Sequence, residues 1–208
     1  MKMRNRFKIL LYIIVVLIIL ATLVLISLNF ASNNTKVEHK TIEKIENYNY
    51  VLKDRDTDYM KELFNNLKTT LQTEEVNMEE YASDLTKIFV ADLFTLKNKD
   101  NKYDVGGLLY IYPDVKENYR LNVEDTLYKY LIDINSKERQ KDLPNVTNVE
   151  VISIENTTYT YMKEKLNAYK LNVSISYEKD LLYPNYAEII LVNSDNYLYV
   201  VSFKGVES

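Results

Sequence analysis

The chain has 208 residues, no cysteine, no tryptophan, three glycines and a formal net charge of −4. Without cysteine it has neither disulfides nor thiolate metal sites, so a folded domain must stand on its apolar core alone. The first 30 residues carry four basic and no acidic side chains; the remaining 22 basic and 30 acidic side chains leave the rest at −8, which argues against a nucleic-acid partner and against adhesion to anionic lipid.

Ile9 to Leu28 is a run of twenty residues without a charge, long enough to cross a bilayer core as one helix. Lys2, Arg4, Arg6 and Lys8 precede it and the first acidic residue is Glu38. This asymmetry predicts a cytoplasmic N-terminus and places everything after Phe30 outside the cytosol. A cleaved signal peptide is the competing reading, but its apolar core is usually about 7–15 residues and ends at a small-x-small site. Leu28-Asn29-Phe30-Ala31 offers no such pair, so the expectation is a cytoplasmic tail at 1–8 and an uncleaved membrane anchor at 9–30. Nineteen tyrosines and abundant Asn, Lys and Ile match the codon usage of an AT-rich, bacterial genome. N-x-[ST] triplets at Asn33, Asn145, Asn156 and Asn172 arise easily by chance in such a chain and are read as inert.

Residues 31–47 are polar, lack a sustained apolar period and predict a stalk. His39, the only histidine, falls there and is read as solvated filler. Tyr48, Tyr50 and Leu52 alternate with polar positions and suggest a short lead-in strand.

Three helices are then legible. The first, 57–71, puts Met60, Leu63, Phe64, Leu67 and Leu71 on one face, with Asp56 or Thr57 as cap. In the second, 78–97, Met78, Tyr81, Ala82, Leu85, Ile88, Phe89 and Leu93 follow the 3, 4 spacing, and Asn77 with Glu80 resembles a capping box. A third is predicted over 123–134, where Val123, Leu127, Tyr130, Leu131 and Ile134 would share a face behind an Asn122–Asp125 cap. Between the last two, Gly106 and Gly107 adjoin, which signals unusual torsions or close backbone approach. The spacing suits neither a dinucleotide loop nor a P-loop, so a structural bend is expected, with Pro113 opening a short helical turn through Tyr119.

After Pro144 the period becomes two. Tyr169, Leu171, Val173, Ile175 and Tyr177 alternate with Lys170, Asn172, Ser174, Ser176 and Glu178, the pattern of a sheet wet on one face. Tyr197, Tyr199, Val201 and Phe203 repeat it, and 149–161 and 186–193 are two further β-rich stretches, with hairpin turns expected at 163–167 and 193–196. Helices first and a four-stranded antiparallel meander last predict an α+β domain over 48–208, its helices covering one face of a curved sheet.

Tyr81, Ala82, Leu85, Phe89 and Asp92 in a Y-A-x-x-L-x-x-x-F-x-x-D pattern, the Asp104-Val105-Gly106-Gly107 segment and the terminal meander give 48–204 an order of elements that resembles the small membrane-anchored NTF2-like, cystatin-like domains of low-GC bacteria. The VirB8-like components of conjugation and secretion machines share that structural type. The resemblance implies a cone between sheet and helices; one fold hosts many activities, so it says little of function. Enzymes of the NTF2-like type place an acid or histidine and a tyrosine in the cone. Here a base would have to be Asp92, Asp104 or Asp125 made more basic by burial, and each has a duller role: Asp92 as the wet edge of the second helix, Asp104 as a cap on the Gly-Gly bend, Asp125 in a helix cap. Tyr103, Tyr110, Tyr128 and Tyr130 could supply phenols.

No catalytic residue, cofactor or metal site is expected. The expected function is a single-pass, anchored protein-interaction module in an envelope assembly, with protein partners or self-association through the wet sheet face at Ser174, Ser176 and Tyr177. The alternative is a small or peptidic ligand in the cone, near Asp92, Asp104, Gly106, Gly107, Tyr110 and Tyr130.

Overall fold

The computed structural model describes residues 13–22 and 39–206. The chain divides into two units, 1–38 and 39–208. In the first, residues 13–22 are helical; the remainder of the expected anchor lies outside the described residues. Among the described residues no helix is long and apolar enough to cross a membrane.

The second unit is an α+β fold. Its elements run β1 (Thr41–Lys44), β2 (Val51–Lys53), α1 (Asp58–Leu71), α2 (Met78–Phe94), a 3-10 turn (Pro113–Val115), α3 (Lys116–Asp125), β3 (Val146–Tyr161), β4 (Glu164–Tyr177), β5 (Tyr186–Ser194) and β6 (Tyr197–Val206). Part of the expected stalk is therefore packed structure. β1 pairs antiparallel with β2, Asn47 and Asn49 take the left-handed torsions of the connecting turn, and Ile45, Tyr50 and Leu52 are buried. Polar outward residues in β1 hid a strand whose apolar contribution is one isoleucine just past its end.

α1 and α2 form where their caps and stripes predict. The Thr57 hydroxyl accepts the Met60 N–H at 3.2 Å, while Asp56 instead accepts the Lys53 N–H. Asn77 accepts from Glu79 and Glu80. α2 stops at Phe94, three residues early, because the Leu96 and Lys97 N–H groups both turn to the Pro144 carbonyl. The third helix is displaced: it spans 116–125, not 123–134. Pro113 starts the run, and Asn122 helps to end it, its carbonyl accepting the Thr126 N–H and hydroxyl. The supposed apolar face past 123 is not one, since Val123 and Leu131 are buried whereas Tyr130 is 75% and Ile134 44% exposed.

The four-stranded sheet has the order β3-β4-β5-β6, antiparallel throughout. Its inner row, packed on the helices, runs through Leu171, Val173 and Ile175 of β4 and Ala187, Ile189 and Leu191 of β5, all buried. The first turn is Met162-Lys163, two residues with positive φ of 45° and 73°; of the turn expected at 163–167 only Lys163 belongs to it, and 164–167 are strand. The second is Asp195-Asn196, again with both φ positive, as a two-residue hairpin requires. β6 changes phase. Ile190 pairs with Ser202 and Leu191 with Val200, so Val201 is an unpaired bulge. Leu198 and Val200 face inward before it and Phe203 after it, while Tyr197 and Tyr199 lie on the outer face. Their expected common face with Phe203 is thus broken.

Gly106 and Gly107 sit on α2. A Cβ on Gly106 would come 2.1 Å from the Asp92 carbonyl oxygen, and Gly107, at φ +77°, would put one 2.7 Å from the Phe89 ring. Gly106→Ala should therefore cost about 2 kcal/mol or more of stability. Urea unfolding checks this; a loss within error of zero would mean that the helix and bend are not in contact.

Candidate functional site

Of the three carboxylates proposed from sequence, Asp92 and Asp104 are brought together around Lys99 and Arg55, in a setting different from the one expected. Asp92, on the last turns of α2, keeps a partly exposed side chain but is more than a wet edge. Its Oδ1 pairs with the ammonium of Lys99, a residue with no exposed surface, and its Oδ2 accepts the Gly107 N–H at 2.6 Å. Asp92, and not Asp104, therefore caps the Gly-Gly bend. Around it the Tyr128 hydroxyl donates to the Leu93 carbonyl at 2.7 Å and the Tyr119 hydroxyl to the Gly106 carbonyl at 3.0 Å.

Asp104 forms a two-point pair with Arg55, one contact of 2.7 Å being Nη2 to Oδ1, and also accepts the Asp100 N–H. Asp100 lies 3.7 Å from the same guanidinium. It also meets His39, whose Nε2 is 2.8 Å from Asp100 Oδ2 and whose Nδ1 is 3.5 Å from Asp54 Oδ1. His39 is therefore a bonded part of the domain's entrance, not solvated filler. Arg139 closes the group by donating to the carbonyls of Lys99 at 2.8 Å, Leu96 and Ile132.

Electrostatics then decide what these acids can do. Burial pushes the Asp92 carboxyl up, but the Lys99 charge and hydrogen bond, the Gly107 amide and Arg55 outweigh it and hold it below the ordinary carboxylate range. Asp104 behaves alike: burial raises it, and the Arg55 hydrogen bond and charge bring it below its usual value. Both are weaker bases than a free aspartate, the reverse of what a general base needs. Asp125 is exposed at the end of α3.

Of the phenols, Tyr110 is buried, its ring 5.3 Å from that of Tyr50. Burial, with Asp92 and Asp56 nearby, pushes its hydroxyl well up. Tyr50 and Tyr81 share a 2.7 Å hydrogen bond, which ties β2 to α2. Tyr130 points away from this region, with Lys129 over its ring, so the candidate cone residues are not one lining. Among the described residues no group of three or more His, Asp or Glu side chains is arranged to hold a metal ion.

The sheet offers two other surfaces. On its outer face Ser174 lies between Glu150 of β3 and Tyr186 of β5, with exposed Ser176 beside it. Tyr177 belongs to the inner row: its ring meets Phe94 and its hydroxyl donates to the Pro184 carbonyl. Apolar side chains stand out near Ser174: Ile152, unpaired at a bulge in β3, is 58% exposed and Tyr186 45%. Leu182, in the loop to β5, is 90% exposed in a left-handed conformation, its N–H held by Asp180. At the opposite end of this face the ring of Tyr112 meets Tyr161 and Tyr199. On the inner face, past the start of α2, lies a groove of about 480 Å³ lined by Asn156, Asn167, Tyr169 and Asn193 among others, with no charged side chain in its lining.

Lys99, Arg55 and His39 escaped sequence reasoning. One signal was present: an aspartate inside the apolar stripe of α2 requires a buried counter-charge, and Lys99 follows it by seven positions. No family model, no curated protein and no solved structure matches the chain.

Breaking the buried pair has a definite cost. Lys99→Met strands the Asp92 charge and should remove about 3–5 kcal/mol of stability, whereas Lys99→Met with Asp92→Asn should recover part of it; urea unfolding of both variants measures the coupling, and equal losses would rule it out. The pH response follows from the same groups. Because Asp92 and Asp104 sit below their unfolded values, their contribution is complete above pH of about 4 and is lost as pH falls through the folded values. Asp104→Asn should flatten the fall in the urea midpoint between pH 5 and 3; an unchanged slope would place the acid sensitivity elsewhere.

Proposed function

We propose that the chain is a single-pass protein anchored through residues 9–30, with its N-terminus cytoplasmic and an extracytoplasmic domain that acts as a non-catalytic interaction part of an envelope assembly. In this reading the domain is of the NTF2-like, cystatin-like type to which VirB8-like components belong. The anchor rests on the uncharged run and its four flanking cations. The fold type rests on the order of helices, Gly-Gly bend and meander.

The observation that carries the interaction role is the outer sheet face at Ser174. Ile152 and Tyr186 present apolar surface there amid hydroxyls and a carboxylate, a mixed apolar and polar patch of the kind protein partners cover. Leu182 adds a structural argument, because holding a leucine at φ +61° costs about 1 kcal/mol and folding gains nothing from the exposed side chain. The acids near the helices, by contrast, are committed to internal cations.

A second reading is favoured by the inner-face groove. Its asparagine amides both donate and accept, and Tyr169 supplies a ring, so it suits a small neutral polar or peptidic ligand at the mouth of the space between sheet and helices.

Ser174→Lys separates these readings. Lysine there can pair with Glu150, so the fold should persist with an unchanged melting temperature, while crosslinking of the tagged protein in its membrane should lose the partners seen with the wild type. Unchanged partners would remove the outer face from consideration. A thermal-shift screen, with Asn167→Ala and Asn193→Ala as controls, tests the groove: a stabilising neutral compound that both variants abolish supports it.

A further inference from the structure

The two outer edges of the four-stranded sheet are finished differently. Beyond β6 the segment around Ile111 takes the edge, with Tyr112 N–H to the Val200 carbonyl at 3.0 Å and Val200 N–H to the Tyr110 carbonyl at 2.8 Å. On β3 the row of outward N–H groups begins at Val146 and Val149. Thr95 Oγ1 accepts the first at 3.2 Å and the Tyr59 hydroxyl the second at 2.7 Å. Further along, the same row continues through Asn156, Thr158 and Thr160, and among the described residues no other element bonds those peptide groups.

Their direction follows from the hairpin. A two-residue turn at Met162-Lys163 makes Tyr161 and Glu164 the doubly bonded closing pair. Bonded and non-bonded pairs then alternate, so Tyr159 and Thr157 turn their backbone to β4, and Thr160, Thr158 and Asn156 turn theirs away. The stretch Asn156–Tyr161 reads Asn-Thr-Thr-Tyr-Thr-Tyr: no charge, no proline, no glycine, and five β-branched or aromatic side chains in six. Edges are normally blunted by lysine, proline or a bulge; the bulges of β3, at Thr147 and Ile152, stop short of this stretch.

We propose that β3 pairs antiparallel with β3 of a second copy of the chain, about a two-fold axis at Thr158. In that register Thr158 faces its own equivalent and Asn156 faces the equivalent of Thr160, so free backbone groups meet free backbone groups on both sides. Glu155 faces the equivalent of Tyr161, and no acid opposes an acid. Neighbouring registers fail. An axis at Asn156 sets the Ile152 bulge opposite Thr160, and an axis at Thr160 carries the turn into the ladder. The pairing is isologous and joins two four-stranded sheets into one of eight. It uses the edge and not the outer face, so it does not depend on the interaction surface at Ser174.

The absence of cysteine gives a direct test on the full-length chain in detergent. The Cα atoms of a hydrogen-bonded antiparallel pair lie about 5.5 Å apart, within disulfide reach. Thr158→Cys should therefore form an interchain disulfide at least tenfold faster than Ser153→Cys, whose equivalents would lie about 30 Å apart along the ladder. Sedimentation should give a dimer for the wild type and a monomer for Thr158→Pro, which removes an outward N–H and leaves the β4 bonds in place. If circular dichroism shows that the proline variant has not folded, Thr158→Lys carries the test by placing like charges across the axis. A wild type that is monomeric at about 100 µM, equal crosslinking of the two cysteine variants, or a folded Thr158 variant that remains dimeric would each overturn the pairing. Because Ser174→Lys leaves this edge untouched, loss of partners in that variant and loss of the dimer in these are separate results.

Discussion

A lysine with no exposed surface, held against an aspartate on the last turns of a buried helix, is the contact on which the helical layer depends. Lys99 and Asp92 would each be costly to bury alone. Together they leave one carboxylate oxygen free to take the Gly107 amide, and this lashes the segment after α2 back onto the helix it has just left. Glycine is needed at both positions because the Asp92 backbone and the Phe89 ring occupy the space of a side chain. From that fixed point the chain reaches Tyr110–Tyr112, which covers the edge of β6. One ion pair thereby fixes where the segment after α2 begins its path to the sheet edge.

A second charged group fastens the entrance. Arg55, between β2 and α1, gathers Asp104 and Asp100, and Asp100 in turn receives His39. The residues involved come from distant parts of the chain, so the group links the start of the domain to the loop after α2. Together the two groups use Asp92, Asp100 and Asp104 as structural anions. In Asp92 and Asp104 these cations hold the carboxyl below its ordinary range, the opposite of the upward pKa shift that marks a catalytic carboxylate.

Much of this architecture can be read from residue patterns, and the failures have identifiable causes. α1, α2 and the meander rest on local signals: Thr57 and Asn77 as caps, a leucine and phenylalanine stripe, and two-residue alternation through Leu171, Val173 and Ile175. What was misplaced depends on distant partners. The end of α2 is set by the Pro144 carbonyl, the position of α3 by Pro113 and by turns that bury Tyr128 without a regular face, and β1 by a hairpin whose side chains are mostly exposed. The candidate residues divided in the same way. The Gly-Gly bend was legible because glycine pairs have a backbone meaning, whereas the roles of Asp92 and Asp104 depended on Lys99 and Arg55, whose charges look solvated in a linear reading. Tyr130 and Tyr177 were placed on the wrong surfaces because tyrosine is too frequent in this chain to mark either one.

The unpaired Val201 in β6 divides that strand into two reading frames. Before it, even-numbered positions supply the core; after it, odd-numbered ones do. A substitution at 201 leaves both frames in place, and so does loss of the residue itself. Loss of Val201 would close the bulge and run Val200 directly into Ser202, giving one regular strand that keeps Leu198, Val200 and Phe203 inward and Tyr197 and Tyr199 outward, whereas a residue added elsewhere between Tyr197 and Phe203 would need a second bulge to keep those faces. Descendants of this sequence can therefore shed the bulge and keep both faces of the sheet, but they cannot lengthen β6 by one residue without a further bulge to absorb it.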